Sequence, residues 1–169
     1  MTRDDIIAFV IGLEGGYVDN PADPGGATNM GVTQHYLDVA RAANPSWNLP
    51  AGVSDLVEGQ VSAMFAADQW AAVKGDSLPW PLALSAFDTA VNEGPNRAVL
   101  ILQQSLGVTA DGTIGPTTLN AAISAGPKVY AEFAARRAVA YAQLDATEGQ
   151  FELGWMRRLI RVYTQAITP

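Results

Sequence analysis

The chain has no cysteine, so neither disulfides nor thiol chemistry can contribute to its fold or activity. It has one histidine, His35, with no serine or aspartate spaced around it as a catalytic partner, which points to a structural or surface role. No run of apolar residues approaches the roughly 20 needed to span a membrane. The N-terminus, MTRDDIIAFVIGLEGG, is not a secretory signal, because two aspartates precede an apolar run broken at helical spacing. Basic residues are scarce as well, and the net charge of −7 makes nucleic acid a poor partner. Finally, no segment carries a strong strand pattern, which leaves an all-α class with at most one small β-hairpin.

What is present suffices for a folded domain. The 169 residues, 49% of them hydrophobic, can bury a sizeable core. Apolar positions recur at helical spacing through most of the chain. Thr2 to Leu13 reads as a helix with Thr2 and Asp5 in capping-box positions. Thr33 to Ala43 reads as a second, and Ser54 as the cap of a third that carries Trp70 near its end. Further helices are expected over 82–92, 96–106, 116–125, from 127 to about 147, and from about 152 to 167, punctuated by Gly94-Pro95, Gly115-Pro116 and Gly126-Pro127. No linker interrupts them. The expectation is one domain over 1–169, with lobes at 1–79 and 80–169, acting as a monomer.

Charge is uneven. Six of the ten basic residues lie between Lys128 and Arg161. Solvated helix faces explain this; so does a patch for an anionic polymer or membrane surface.

The densest chemistry lies in residues 13–33, LEGGYVDNPADPGGATNMGVT. Glu14 ends an apolar helix in front of Gly15-Gly16, and a loop rich in glycine, proline and small polar groups follows, with a hairpin expected around Gly25-Gly26. A carboxyl in apolar surroundings with open space before it is what proton donation to a glycosidic oxygen requires. Asp23 is placed to hold or activate a water, and Thr28 to orient it. Local capping by Glu14 is the competing reading, and Asp19 and Asp23 also fit as ordinary turn formers. Tyr17 reads equally as a sugar-stacking ring or a core residue. Downstream, Asn92 follows Val91 on an apolar helix and is expected near the interior, supporting a cleft or meeting an N-acetyl group. Asp88, one turn earlier, is placed to pair with it or with an arginine. Asp111-Gly112 lacks the ligand spacing of a calcium loop and reads as a tight turn. No metal or cofactor is implied.

The stretch resembles glycoside hydrolase family 108, bacterial and phage N-acetylmuramidases also described as secretion activators. The residues that carry the resemblance are Glu14-Gly15-Gly16-Tyr17, Asn20-Pro21, Asp23, Gly25-Gly26, Thr28 and Gly31-Val32-Thr33. Further on, Ala86-Phe87-Asp88, Val91-Asn92, Gly94, Leu102-Gln103, Asp111-Gly112, Gly115-Pro116 and Gly154-Trp155 resemble the companion peptidoglycan-binding segment and the family's last helix. Gln69-Trp70 stands where the family often has Tyr-Trp, which leaves Trp70 as the stacking candidate.

The resemblance implies a lysozyme-like helical fold and cleavage of the β-1,4 bond between N-acetylmuramic acid and N-acetylglucosamine in peptidoglycan. It implies Glu14 as general acid and Asp23 and Thr28 as catalytic partners. Tyr17, Asn20, Gly26, Trp70, Asp88 and Asn92 are the substrate-binding candidates. A lytic transglycosylase acting on the same bond, or a non-catalytic peptidoglycan-binding module, are the alternatives. A phage-type endolysin made in the cytoplasm would need a holin or transporter to reach the wall.

Overall fold

Thr2 starts the first helix as its sequence suggests. Its hydroxyl accepts the Asp5 N–H at 3.2 Å, and the Asp5 carboxylate accepts the Thr2 N–H at 2.8 Å. These bonds, the backbone one foremost, hold the Asp5 carboxyl below the usual carboxylate range. The computed structural model describes residues 1–19, 26–148 and 152–168, which fall into two compact units, Met1–Asp68 and Gln69–Pro169.

In the first unit, α1 (Arg3–Ile11) buries Ile6, Ile7, Val10 and Ile11. It packs against α3 (Glu58–Phe65), which buries Val61, Met64 and Phe65. Each such side chain contributes about 1.5–3 kcal/mol of hydrophobic stabilisation. Between these helices lie β1 (Thr28–Asn29), β2 (Val32–Thr33) and α2 (Gln34–Ala43). The strands pair antiparallel, Thr28 with Thr33 and Asn29 with Val32. Their two-residue turn is Met30-Gly31, both with positive φ (49° and 78°), the signature of a type I′ turn. This hairpin turns at Met30-Gly31; the turn expected around Gly25-Gly26 falls partly on residues outside the described ones. A turn of this type needs two left-handed residues, and Gly31 supplies one without strain. Thr33 caps α2, its hydroxyl accepting the Tyr36 N–H at 3.1 Å.

The third helix also differs from expectation. Ser54 sits in a 3₁₀ turn, Val53–Asp55, because Val53 and Leu56 on either side are buried. The cap falls at Val57, whose N–H donates to Oε1 of Gln60 at 3.2 Å. A π-helical turn, Ala66–Trp70, follows α3.

The second unit is built around α4 (Trp80–Glu93), in which every residue from Pro81 to Ala90 is buried. A helix apolar on all sides must be surrounded, and α5 (Pro95–Ser105), α7 (Pro127–Glu148) and α8 (Glu152–Ile167) pack on it. Its buried Ser85 and Thr89 hydroxyls donate to backbone carbonyls one turn back, at 2.9 and 2.7 Å. Proline begins α5 and α6 (Pro116–Ile123), where its missing N–H costs nothing.

Gln103 of α5 fastens the loop before α6. Its amide nitrogen donates to Asp111 Oδ1 (2.7 Å) and the Thr113 carbonyl (3.0 Å), and its oxygen accepts the Gly112 N–H (2.9 Å). Gly112, with φ +76°, makes the tight turn expected there. The all-α class with one small hairpin is thus the fold the chain adopts.

Candidate active site

Glu14 is delivered by the way α1 ends. Beyond Ile11 the chain tightens: Leu13 N–H bonds the Val10 carbonyl and Glu14 N–H the Ile11 carbonyl, both at 3.0 Å, in the i→i−3 pattern of a closing 3₁₀ turn. The residue after Glu14 is then tied to the hairpin, Met30 N–H donating to the Gly15 carbonyl at 3.1 Å. Four residues past Glu14, Val18 forms a two-way bridge with Thr28, at 2.9 and 2.8 Å. The hairpin is thereby bonded to the chain on both sides of Gly16-Tyr17.

This arrangement sets the half-buried Glu14 side chain on the bare Cα of Gly31. A Cβ at position 31 would lie 2.9 Å from both Cγ and Cδ of Glu14 and 3.1 Å from Oε2. Gly31 is doubly required, because its φ of +78° also belongs to the region that side chains disfavour. The hairpin is anchored in turn by two amide side chains. Buried Asn29 donates to the Val53 carbonyl at 3.0 Å. Gln34 donates to the Ala51 carbonyl at 2.8 Å and accepts the Val53 N–H at 2.9 Å.

Of the other expected site residues in this unit, Tyr17 is 51% exposed, which rejects the core reading and leaves its ring open to solvent. Its hydroxyl reaches Asp19 at 3.4 Å. Thr28 is half-buried, with its backbone N–H and C=O engaged by Val18. Gly26 has φ +71° and open space where a Cβ would stand, so it serves the backbone path. Asn20 and Asp23 lie outside the described residues. Among the described residues no three His, Asp or Glu side chains are grouped as metal ligands would be.

The candidates in the second unit have other duties. Trp70, 4% exposed, meets the Phe87 ring edge-on at 5.5 Å and lies over Gly75, where a Cβ would stand 2.3 Å from the indole. It is a core residue, not a stacking platform. Asp88 is fully buried and clamped by two arginines: Arg137 Nη1 bonds Oδ2, while Arg158 Nε and Nη2 reach Oδ1 at 2.9 and 2.7 Å. With no exposed surface it offers nothing to a sugar, and the arginine alternative is the one realised. Arg137, itself fully buried, also donates to Glu93 at 2.9 Å. Burial pulls the Arg137 pKa down, but the charge of Asp88, then Tyr141 and Glu93, outweighs it and leaves the guanidinium above its ordinary value.

Asn92 departs from expectation the other way, being exposed rather than interior. Its Oδ1 accepts from Tyr141 OH (2.8 Å) and Arg137 Nη2 (3.3 Å), which fixes the amide at the surface.

The family profile Glycosyl hydrolase 108 matches residues 7–94, more than half the chain. The chain belongs to glycosyl hydrolase family 108. Both Glu14 with its glycine seat and the α4 segment fall inside that match. A second profile, Predicted Peptidoglycan domain, follows over residues 97–160. Among solved structures, that of Brucella abortus SagA is 35% identical, with a TM-score of 0.81, and the match covers 98% of this chain and 93% of that one. No curated protein matches. As a family 108 member with a peptidoglycan domain, the chain is a glycoside hydrolase acting on peptidoglycan. Among its described residues, no helix is long and apolar enough to cross a membrane. The family seam at residues 94–97 differs from the compact-unit seam at Asp68, so α4 belongs to the hydrolase match but folds in the second unit.

Proposed function

We propose that this family 108 hydrolase is an N-acetylmuramidase in which Glu14 donates the proton. The observation that carries the reading is the seat of Glu14: a half-buried carboxyl on the bare Cα of Gly31, beside a hairpin bonded to the chain just after it, at Gly15 and Val18. In the reaction, the Glu14 proton passes to the 4-oxygen of the departing N-acetylglucosamine as its bond to C1 of N-acetylmuramic acid breaks. A water then adds its oxygen to C1 and gives up a proton to a carboxylate, the role assigned to Asp23, with Thr28 orienting the water. Tyr17, exposed near Glu14 in sequence, supplies the ring for a neighbouring sugar.

The test is turbidity loss of purified sacculi with wild type, Glu14→Gln and Asp23→Asn, followed by mass spectrometry of the released muropeptides. Glu14→Gln is expected to lose roughly 10²–10⁴-fold in rate. Products ending in reducing N-acetylmuramic acid are expected. A 1,6-anhydro end, lighter by one water, would replace the hydrolase with a lytic transglycosylase, and full activity in Glu14→Gln would leave only a binding module.

We also assign the exposed Arg157 and Arg161 of α8, with Leu153 and Ile160 beside them, to contact with the anionic wall or a membrane surface. The same assay at rising salt tests this, since clearing that ignores salt would remove the contact.

A further inference from the structure

Among the described residues of the first unit, every buried side chain is apolar except one, Asn29. Asn29 is 8% exposed, and the residues it pairs with, Val32 across the hairpin and Val53, are at 0% and 1%. An amide in such surroundings gives up hydration that an apolar side chain would not lose, so it belongs there only if hydrogen-bonded. Asn29 makes that bond to a distant part of the chain, its Nδ2 donating to the Val53 carbonyl at 3.0 Å.

The position of Asn29 gives this bond its consequence. It is the last strand residue before the Met30-Gly31 turn. Met30 holds a φ of 49° without being glycine, and backbone of this kind persists only where its surroundings impose it. The turn is tied at Met30, whose N–H donates to the Gly15 carbonyl at 3.1 Å, and immediately before it by the Asn29 amide. The next residue, Gly31, is the seat of Glu14, where even a Cβ would stand 2.9 Å from the carboxyl carbon. With so little room between them, a shift of the turn shifts Glu14. Gln34 binds the same segment, at Ala51 and Val53, but it is half-buried, also meets Asp38 and lies beyond the second strand.

We infer that Asn29 is the positioning residue of this site: its buried amide latches the hairpin to Val53, and the latched turn sets the Glu14 carboxyl for proton transfer. Asn29 acts through Gly31 and Glu14 and not on the substrate. The inference rests on Glu14 as the proton donor and adds the residue that places it.

Steady-state rates of wild type, Asn29→Ala and Asn29→Asp on two substrates test it. One is soluble glycan strands, whose leaving sugar must be protonated. The other is a dinitrophenyl glycoside of the same sugars, whose leaving group departs without a proton. Asn29→Asp keeps the side chain's shape and, when ionised, has no hydrogen to donate, so it decides should Asn29→Ala fail to fold. On glycan strands kcat is expected to fall about 10–100-fold, with KM changed by less than about twofold. On the glycoside the loss is expected to vanish. Val61→Ala, which opens a cavity between α1 and α3, controls for stability and should keep its kcat.

Unchanged kcat on glycan strands in a folded Asn29 variant, equal loss on both substrates, or a matching loss in Val61→Ala overturns the assignment. Should wild type leave the glycoside intact, the contrast between the Asn29 and Val61 variants on glycan strands decides. Glu14→Gln, measured alongside, separates the two readings. Loss in Glu14→Gln but in neither Asn29 variant rejects the latch alone. Full activity of Glu14→Gln on glycan strands, or equal loss on both substrates, rejects the proton donor and the latch with it.

Discussion

Two carboxylates within the hydrolase match, Glu14 and Asp88, are held in opposite ways. Glu14 is half-buried and positioned by backbone hydrogen bonds and by the missing side chain of Gly31. Asp88 is fully buried and positioned by the charges of Arg137 and Arg158. Glu14 is only half-buried, so part of its side chain stays at the surface. A carboxyl enclosed by two guanidinium groups has both oxygens engaged and stabilises the fold, because removing a partner leaves buried charge poorly compensated. Both are carboxylates of apolar helical segments, Glu14 just past the end of α1 and Asp88 within α4. The difference lies in what each is packed against.

The largest expected contrast comes from neutralising each carboxylate in turn. Where Glu14→Gln abolishes most activity without lowering the melting temperature, Asp88→Asn should cost about 3–5 kcal/mol of stability by stranding Arg137 and Arg158. Any activity lost in Asp88→Asn should track the folded fraction. Denaturant melts alongside sacculus assays check this, and an Asp88→Asn protein that is fully stable but inactive would reverse the roles assigned here.

Next in size is Gly31→Ala, which brings a methyl against the Glu14 carboxyl and strains a left-handed residue by about 1–2 kcal/mol. The melting temperature should fall by roughly 2–8 °C. The rate should fall more than stability explains, because the proposed proton donor is displaced. Wild-type rates in Gly31→Ala would show that the glycine seat does not position Glu14.

The narrowest effect, confined to high pH, is one in the charged cluster of the second unit. Burial foremost pushes the Tyr141 hydroxyl up to about 12. Since its folded pKa lies above the ordinary value of about 10, the neutral form is favoured on folding. That contribution, roughly 2–3 kcal/mol, is complete below pH ~10 and is lost as pH rises through ~12. Melting temperature measured from pH 9 to 12 should fall less steeply in Tyr141→Phe than in wild type. The variant should also start lower, having lost the hydrogen bond to Asn92. Parallel curves would mean that Tyr141 ionisation does not couple to folding.

The helices were largely legible because they rest on local signals: the Thr2–Asp5 capping box, Thr33 before α2, the prolines opening α5 and α6, and apolar spacing throughout. Errors arose where burial overrode local chemistry. Ser54 looks like a cap, yet the burial of Val53 and Leu56 draws it into a 3₁₀ turn. Met30 gives no turn signal, and the hairpin forms there because Gly31 can complete a left-handed pair. Within the site, Glu14 was legible from its motif. Gly31 was in view as part of Gly31-Val32-Thr33, but its purpose was not. Asn29 and Gln34 carried no signal, since their partners are carbonyl and amide groups of residues 51–53.

By itself, then, the sequence determined the helical class, most element boundaries, the family and the carboxyl that carries the proposed chemistry. Those follow from period, capping and motif, which are properties of neighbouring residues. Only the tertiary structure decided that Trp70 is core, that Asp88 is an ion-pair partner and that Asn92 reaches the surface. It likewise brought the buried amide of Asn29 to the Val53 carbonyl. Burial and pairing depend on residues far apart in the chain, such as Asp88 with Arg137 and Arg158, and no local pattern encodes them.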